Sequence, residues 1–220
     1  MTLDIYSQKP LMSGISELKA LWKNSGSELR KALENFRRVG NSGDNEKIFS
    51  EMVYCLLTPQ SKALLCWEAV KKLQKKNILF SGGASQIKPC LRGVRFPNNK
   101  SSYIIEARKT FPEVIKKLET ENNIFALRLY LVKNIKGYGF KEAGHFLRNI
   151  GKGEKLAILD RHILRNLKDF GVIKEIPASM NGKLYLEIEK KFMNVAKGLK
   201  IPPAELDLLL WYKEAGRIFK

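Results

Sequence analysis

Apolar residues recur along this chain at spacings of three and four, the repeat of a helix that lays one face against a core. Ile48, Phe49, Met52, Val53 and Leu56 form one such stripe, and Cys66, Ala69, Val70 and Leu73 the next. Tyr103, Ala107, Val114 and Leu118 extend the pattern over a longer stretch. Pro112 within it predicts a kink or a break, because proline has no amide proton to donate. Ile124, Leu127, Leu131 and Ile135 line up, then Ala143, Phe146, Leu147 and Ile150, then Ile163, Leu164, Leu167 and Phe170. Tyr185, Ile188, Phe192, Val195 and Leu199 make the last long stripe. Alternation with period two, the mark of a half-buried strand, is nearly absent, so the expected fold is all-α.

Turn-forming residues divide the helical stretches. Ser42-Gly43-Asp44-Asn45 closes an N-terminal helical region, and Ser81-Gly82-Gly83 and the stretch from Arg92 to Ser101 read as loops. Pro177 and Asn181-Gly182 interrupt the chain again. Pro202-Pro203 suits the first turn of a final helix, where a missing amide proton costs nothing. Two closely packed helical subdomains are expected, with the chain returning from one to the other near residue 180.

Composition narrows the class of partner. The 220 residues include 40 Lys or Arg against 22 Asp or Glu, a formal charge of +18, which favours a polyanion such as DNA or RNA. An apolar content of 44% belongs to a globular chain and excludes a disordered one. No apolar run approaches the ~20 residues of a membrane span. The N-terminus lacks the apolar core of a signal peptide. The expected setting is therefore cytoplasmic, with no membrane partner. Cys55, Cys66 and Cys90 fit neither a zinc site nor an iron–sulfur loop. Cys55 and Cys66 sit on apolar faces as small hydrophobes, and no metal or cofactor is implied.

The stretch from Leu131 to Lys174 carries the candidate chemistry. Gly137-Tyr138-Gly139 separates two helical stretches, and two glycines one residue apart allow positive φ in a tight turn. Their amides can approach an anion at the start of the second helix, which is a way to grip a DNA phosphate without reading bases. An ordinary turn between packed helices is the competing account. The segment holds ten Lys or Arg and four Asp or Glu, so it is more basic than the chain as a whole. Downstream, Leu156-Ala157-Ile158-Leu159 leads into Asp160, placed as the N-cap of the next helix. Taken singly, Asp160 need be no more than that cap. A carboxylate at the positive end of a helix dipole is also suited to stabilise cationic charge on a sugar ring.

Gly137-Tyr138-Gly139-Phe140-Lys141, followed 19 residues later by Asp160 in Leu159-Asp160-Arg161-His162, resembles the signature of the helix-hairpin-helix DNA glycosylases. Within that superfamily, Leu56-Leu57-Thr58-Pro59-Gln60-Ser61-Lys62, Arg95-Phe96-Pro97-Asn98-Asn99-Lys100 and the ending Trp211 to Lys220 resemble the archaeal-type, second family of 8-oxoguanine DNA glycosylases. No cysteine follows Cys90, so the C-terminal iron–sulfur loop of endonuclease III relatives has no counterpart. The resemblance implies one glycosylase unit over residues 1–220, with a helix-hairpin-helix at about 122–150 and a catalytic aspartate loop and helix at about 156–170. It places the active site in the cleft between the two subdomains.

The same resemblance implies roles. Lys141 would be the nucleophile that forms a Schiff base, and its basic neighbours Lys136 and Arg161 are expected to favour loss of its proton. Asp160 would stabilise the oxocarbenium-like transition state. Gly137 and Gly139 would hold backbone phosphate, and Gln60 would fill the gap left by the flipped base, though a loop residue there needs no such role. His162 would contact a phosphate, unless it is merely a helix-surface histidine. Trp211 and Lys220 would recognise the lesion. On pattern alone Trp211 is a core residue, and a terminal lysine is a frayed end. A terminal carboxylate fits the task, since 8-oxoguanine gains a donor at N7. The implied activity is removal of 8-oxoguanine from double-stranded DNA with accompanying lyase action, by a monomer. A glycosylase for another oxidised base and a non-catalytic helix-hairpin-helix module are the alternatives. The latter has no use for Lys141 and Asp160 at this spacing.

Overall fold

The computed structural model describes the backbone of residues 9–219 and the side chains of residues 14–219. Among them are ten helices and no strand: α1 (Lys9–Gly40), α2 (Asn45–Leu57), α3 (Ala63–Lys75), α4 (Ala84–Cys90), α5 (Pro97–Thr120), α6 (Ile124–Asn134), α7 (Phe140–Asn149), α8 (Arg161–Asp169), α9 (Gly182–Leu199) and α10 (Pro203–Ala215). The all-helical expectation holds. No helix of the described residues is long and apolar enough to cross a membrane.

The described chain divides into a central unit, residues 36–153, and a terminal unit built from residues 9–35 and 154–219. It thus passes back at residue 154, not near residue 180 as the turn residues there suggested. The Asn181-Gly182 break is an internal feature of the terminal unit, with Asn181 capping α9 through a bond from the Leu184 amide to its side chain.

In the central unit α2 is the hub, packing on α3, α5 and α7. Every residue from Ile48 to Leu57 is buried, so the stripe read from sequence marks only part of its contact surface. Asp44 starts this helix by accepting from the Lys47 amide at 3.0 Å. The Cys66, Ala69, Val70 and Leu73 stripe of α3 is buried as expected. One local expectation fails, and of the kink or break expected at Pro112 the break does not occur. The helix α5 begins at Pro97, inside the stretch expected as a loop, because Pro97 pre-sets the first turn after a left-handed Phe96. It then runs through Pro112 without ending, while Ile104, Ala107, Phe111, Val114 and Leu118 stay buried. Packing on both sides of the proline outweighs one missing hydrogen bond.

The terminal unit packs α10 against α8 and α9. Its buried carboxylate Glu205 accepts from Trp22 Nε1 of α1 at 2.7 Å and lies 3.4 Å from Arg30. The segment from Leu156 to Leu159 is buried yet irregular, so its amides cannot rely on a helix ladder. Side chains serve them instead. Ala157 N donates to Glu189 at 2.9 Å, Ile158 N to Asp207 at 3.4 Å and Leu159 N to Tyr185 Oη at 3.2 Å. Tyr185 Oη in turn donates to Ala157 O at 2.7 Å.

Candidate active site

In the central unit, α6 ends and Ile135, which is buried, begins the hairpin. Gly137 has φ +90°, and a Cβ there would lie 2.7 Å from a ring carbon of Tyr103. Both facts require glycine. Gly139 differs from expectation: its φ of −104° is extended, and it serves as the N-cap of α7. Its amide donates to Glu142 Oε2 at 3.1 Å, so that amide is committed within the protein and not open to an anion. The exposed tip of the turn is Lys136 and Gly137. Tyr138 anchors the turn by donating its buried hydroxyl to Met52 O of α2 at 2.8 Å. Burial drives that phenol well above the usual tyrosine range. The two helices of the hairpin are joined by Arg128, whose guanidinium lies 5.1 Å from the Phe140 ring centroid.

Lys141 emerges in the first turn of α7, half-buried. Its Nζ donates to Thr58 Oγ1 at 3.2 Å and lies 3.4 Å from Glu142 Oε1. Glu142 therefore spans the Gly139 amide and the Lys141 ammonium with its two oxygens. This alters the expected electrostatics. Lys136, read as a basic neighbour of Lys141, is paired with Glu106 at 3.2 Å and lies 5.6 Å from the Tyr103 ring centroid. The nearest charge to Lys141 in this unit is a carboxylate. Two residues past Thr58, Gln60 is exposed and adopts φ +55°, a left-handed conformation rare for a residue with a side chain.

In the terminal unit, Asp160 caps α8 as expected, its Oδ1 accepting from Ile163 N at 2.9 Å. The satisfied run before it holds that carboxylate at a fixed height on the helix. His162 lies on the first turn of the same helix, with its ring in a T-shaped contact with Trp211 at a centroid distance of 6.2 Å. Glu214 of α10 stands 3.9 Å from His162 Nδ1 and 3.5 Å from Arg165. Trp211 is half-buried, unlike the fully buried Leu208, Leu209 and Leu210 before it, so it is not the core residue its pattern suggested. Lys220 lies outside the described residues. The structure thus gathers Gly137, Gly139, Lys141 and Gln60 in the central unit, and Asp160, His162 and Trp211 in the terminal one.

Residues 29–201 match the family model described as 8-oxoguanine DNA glycosylase. The chain belongs to the 8-oxoguanine DNA glycosylase family. The 8-oxoguanine DNA glycosylase/AP lyase of Fusobacterium nucleatum is 46% identical over 210 residues, covering 93% of this chain and 97% of its own. The crystal structure of the Thermotoga maritima 8-oxoguanine DNA glycosylase superposes with a TM-score of 0.87 at 34% identity, over 96% of this chain and 100% of that one. The Methanocaldococcus jannaschii 8-oxoguanine glycosylase/lyase, solved in complex with a 15mer DNA containing 8-oxoguanine, gives 0.86 at 32% identity, over 94% and 99% of the two chains. These likenesses place the chain with the archaeal-type 8-oxoguanine glycosylases, as its motifs implied.

Sequence reasoning missed the residues that hold the expected ones. Thr58 and Glu142 contact the Lys141 amine, and Tyr185, Glu189 and Asp207 hold the approach to Asp160. A signal existed for Glu142 alone. Glutamate three residues after a cap glycine is half of a capping box. The others are joined to their partners by folding across tens of residues.

Proposed function

We propose that the protein is a bifunctional DNA glycosylase/AP lyase that removes 8-oxoguanine from double-stranded DNA. The observation that carries this reading is Lys141, a half-buried amine held by Thr58 and Glu142 directly behind a glycine hairpin, in a member of this family. The neutral amine attacks C1′ of the flipped nucleotide, and the glycosidic electrons leave with the base. Asp160, fixed by its cap bond, stabilises the positive charge that develops on the sugar. Ring opening gives an imine at C1′, which acidifies the C2′ proton. Loss of that proton expels the 3′ phosphate, the lyase step.

The remaining residues bind. The Lys136–Gly137 tip grips a backbone phosphate, with Gly139 shaping the turn. Gln60 fills the space vacated by the base, and His162 meets a phosphate. Trp211 stacks on the lesion, while the carboxylate of Lys220 accepts a hydrogen bond from the N7–H that distinguishes 8-oxoguanine from guanine. The two units work as one monomeric enzyme acting where the chromosome is, and the chemistry needs no cofactor. Borohydride trapping on duplex DNA containing 8-oxoguanine tests the reading. Wild type is expected to form a covalent adduct, and Lys141→Gln none, with its affinity for undamaged duplex within about threefold. Equal trapping by the two proteins would remove Lys141 as nucleophile.

A further inference from the structure

Among the groups that this mechanism leaves without a part, Lys100 is the most unusual. It lies inside α5 at 4% exposure. All three protons of its ammonium are taken: Nζ donates to Leu57 O at 2.7 Å, to Pro59 O at 2.8 Å and to Ser61 Oγ at 3.1 Å. Every acceptor belongs to one short segment, Leu57 to Ser61. The need for such a donor is clear from the backbone. Leu57 is the last residue of α2, so its carbonyl has no helical partner. Burial holds the Lys100 ammonium below the usual lysine range, chiefly by desolvation. A site that only had to be filled would do better with an apolar side chain.

Other bonds close the same segment. Ser61 N donates to Thr58 O at 3.0 Å, Arg95 N donates to Ser61 Oγ at 3.0 Å, and Cys66 Sγ donates to Leu57 O at 3.2 Å. Two residues of the segment bear on the chemistry. Thr58 Oγ1 donates its proton to Cys55 O at 2.9 Å, which leaves its lone pairs to accept from Lys141 Nζ. Gln60 stands exposed in a left-handed conformation that a residue with a Cβ holds only when its neighbours impose it.

We propose that Lys100 is a positioning residue for base excision: its ammonium fixes Leu57 to Ser61 so that Thr58 meets the Lys141 amine and Gln60 is presented to the duplex. The assignment rests on the roles proposed above for Lys141 and Gln60. It acts through them and touches no substrate.

The test compares wild type, Lys100→Met and Ser61→Ala. Each is measured for single-turnover excision of 8-oxoguanine, for the fluorescence rise of a 2-aminopurine beside the lesion, which reports flipping, and for affinity to undamaged duplex. Melting temperature is recorded in parallel. For Lys100→Met the expected result is excision at least tenfold slower and a lost or delayed fluorescence rise, with duplex affinity within about twofold. Its excision should recover in part on a substrate whose lesion faces an abasic gap, where no orphaned base must be met but the Thr58 contact to Lys141 is still needed. Recovery on that substrate is a response that general loosening of the fold does not give. Ser61→Ala, which removes one of the three acceptors, should show the same defects more weakly. Wild-type excision and fluorescence in Lys100→Met would overturn the assignment. So would a defect of equal size on both substrates. If Lys100→Met does not fold, Ser61→Ala decides: an unchanged fluorescence rise and excision rate refute the assignment. A wild-type chain that neither excises nor traps refutes the functional reading, and this assignment with it.

Discussion

Asp160 carries two roles that the structure allows to be separated. Its Oδ1 accepts from Ile163 N at 2.9 Å and caps α8, while its negative charge is assigned to the transition state. Asparagine presents the same oxygen in the same place and caps about as well as aspartate, whereas alanine presents none. Asp160→Asn should therefore lose only the interaction of the charge with the helix dipole, about 0.5 kcal/mol. Asp160→Ala should lose that and the cap, about 1.5–2 kcal/mol in total. For a chain of this length 1 kcal/mol moves Tm by roughly 2–4 °C. The expected drops are thus about 1–2 °C for asparagine and about 3–8 °C for alanine, read by thermal circular dichroism. Catalysis should not follow that order. Removing a preorganised charge from a transition state costs about 3–4 kcal/mol, a factor of roughly 10² to 10³, and both variants lack the charge. Single-turnover excision should therefore fall by a similar factor in the two, although their stabilities differ. Asp160→Asn that keeps excision within threefold of wild type would refute the electrostatic role. Asp160→Asn that melts as early as Asp160→Ala would refute the cap geometry.

Gly137→Ala should lower Tm and weaken binding to undamaged duplex several-fold, since its backbone is at φ +90° and its Cβ would meet the Tyr103 ring at 2.7 Å; fluorescence anisotropy measures the second effect, and unchanged affinity would remove the tip from the phosphate contact. Tyr185→Phe strands the Leu159 amide and the Ala157 carbonyl, at a cost of about 1–3 kcal/mol for each buried group left unpaired. Its urea midpoint should fall accordingly, and a midpoint equal to wild type would mean that the run before Asp160 is held by other means. Deleting Lys220, or extending the chain with a C-terminal tag, should slow 8-oxoguanine excision far more than it lowers affinity for undamaged duplex; equal single-turnover rates in all three proteins would end the C-terminal recognition model.

What the sequence by itself determined is what depends on near neighbours. The helical stripes, the Asp160 cap and the proline start of α10 are set by residues three or four apart, and each is found where its pattern places it. The hairpin was legible for the same reason, though one of its glycines proved to be a cap in extended conformation. Tertiary structure alone decided the rest. Nothing local marks residue 154 as the return point of the chain, because a unit boundary is where packing partners change and not where a turn occurs. Helix α5 runs through Pro112 because its flanking residues are buried by other helices. Lys141 lies against Thr58, 83 positions away, and Lys100 reaches Leu57, 43 away. Lysine 100 has no pattern of its own to distinguish it from the other lysines. Only burial, which forces each of its protons onto an acceptor, turns it from a surface charge into part of the scaffold.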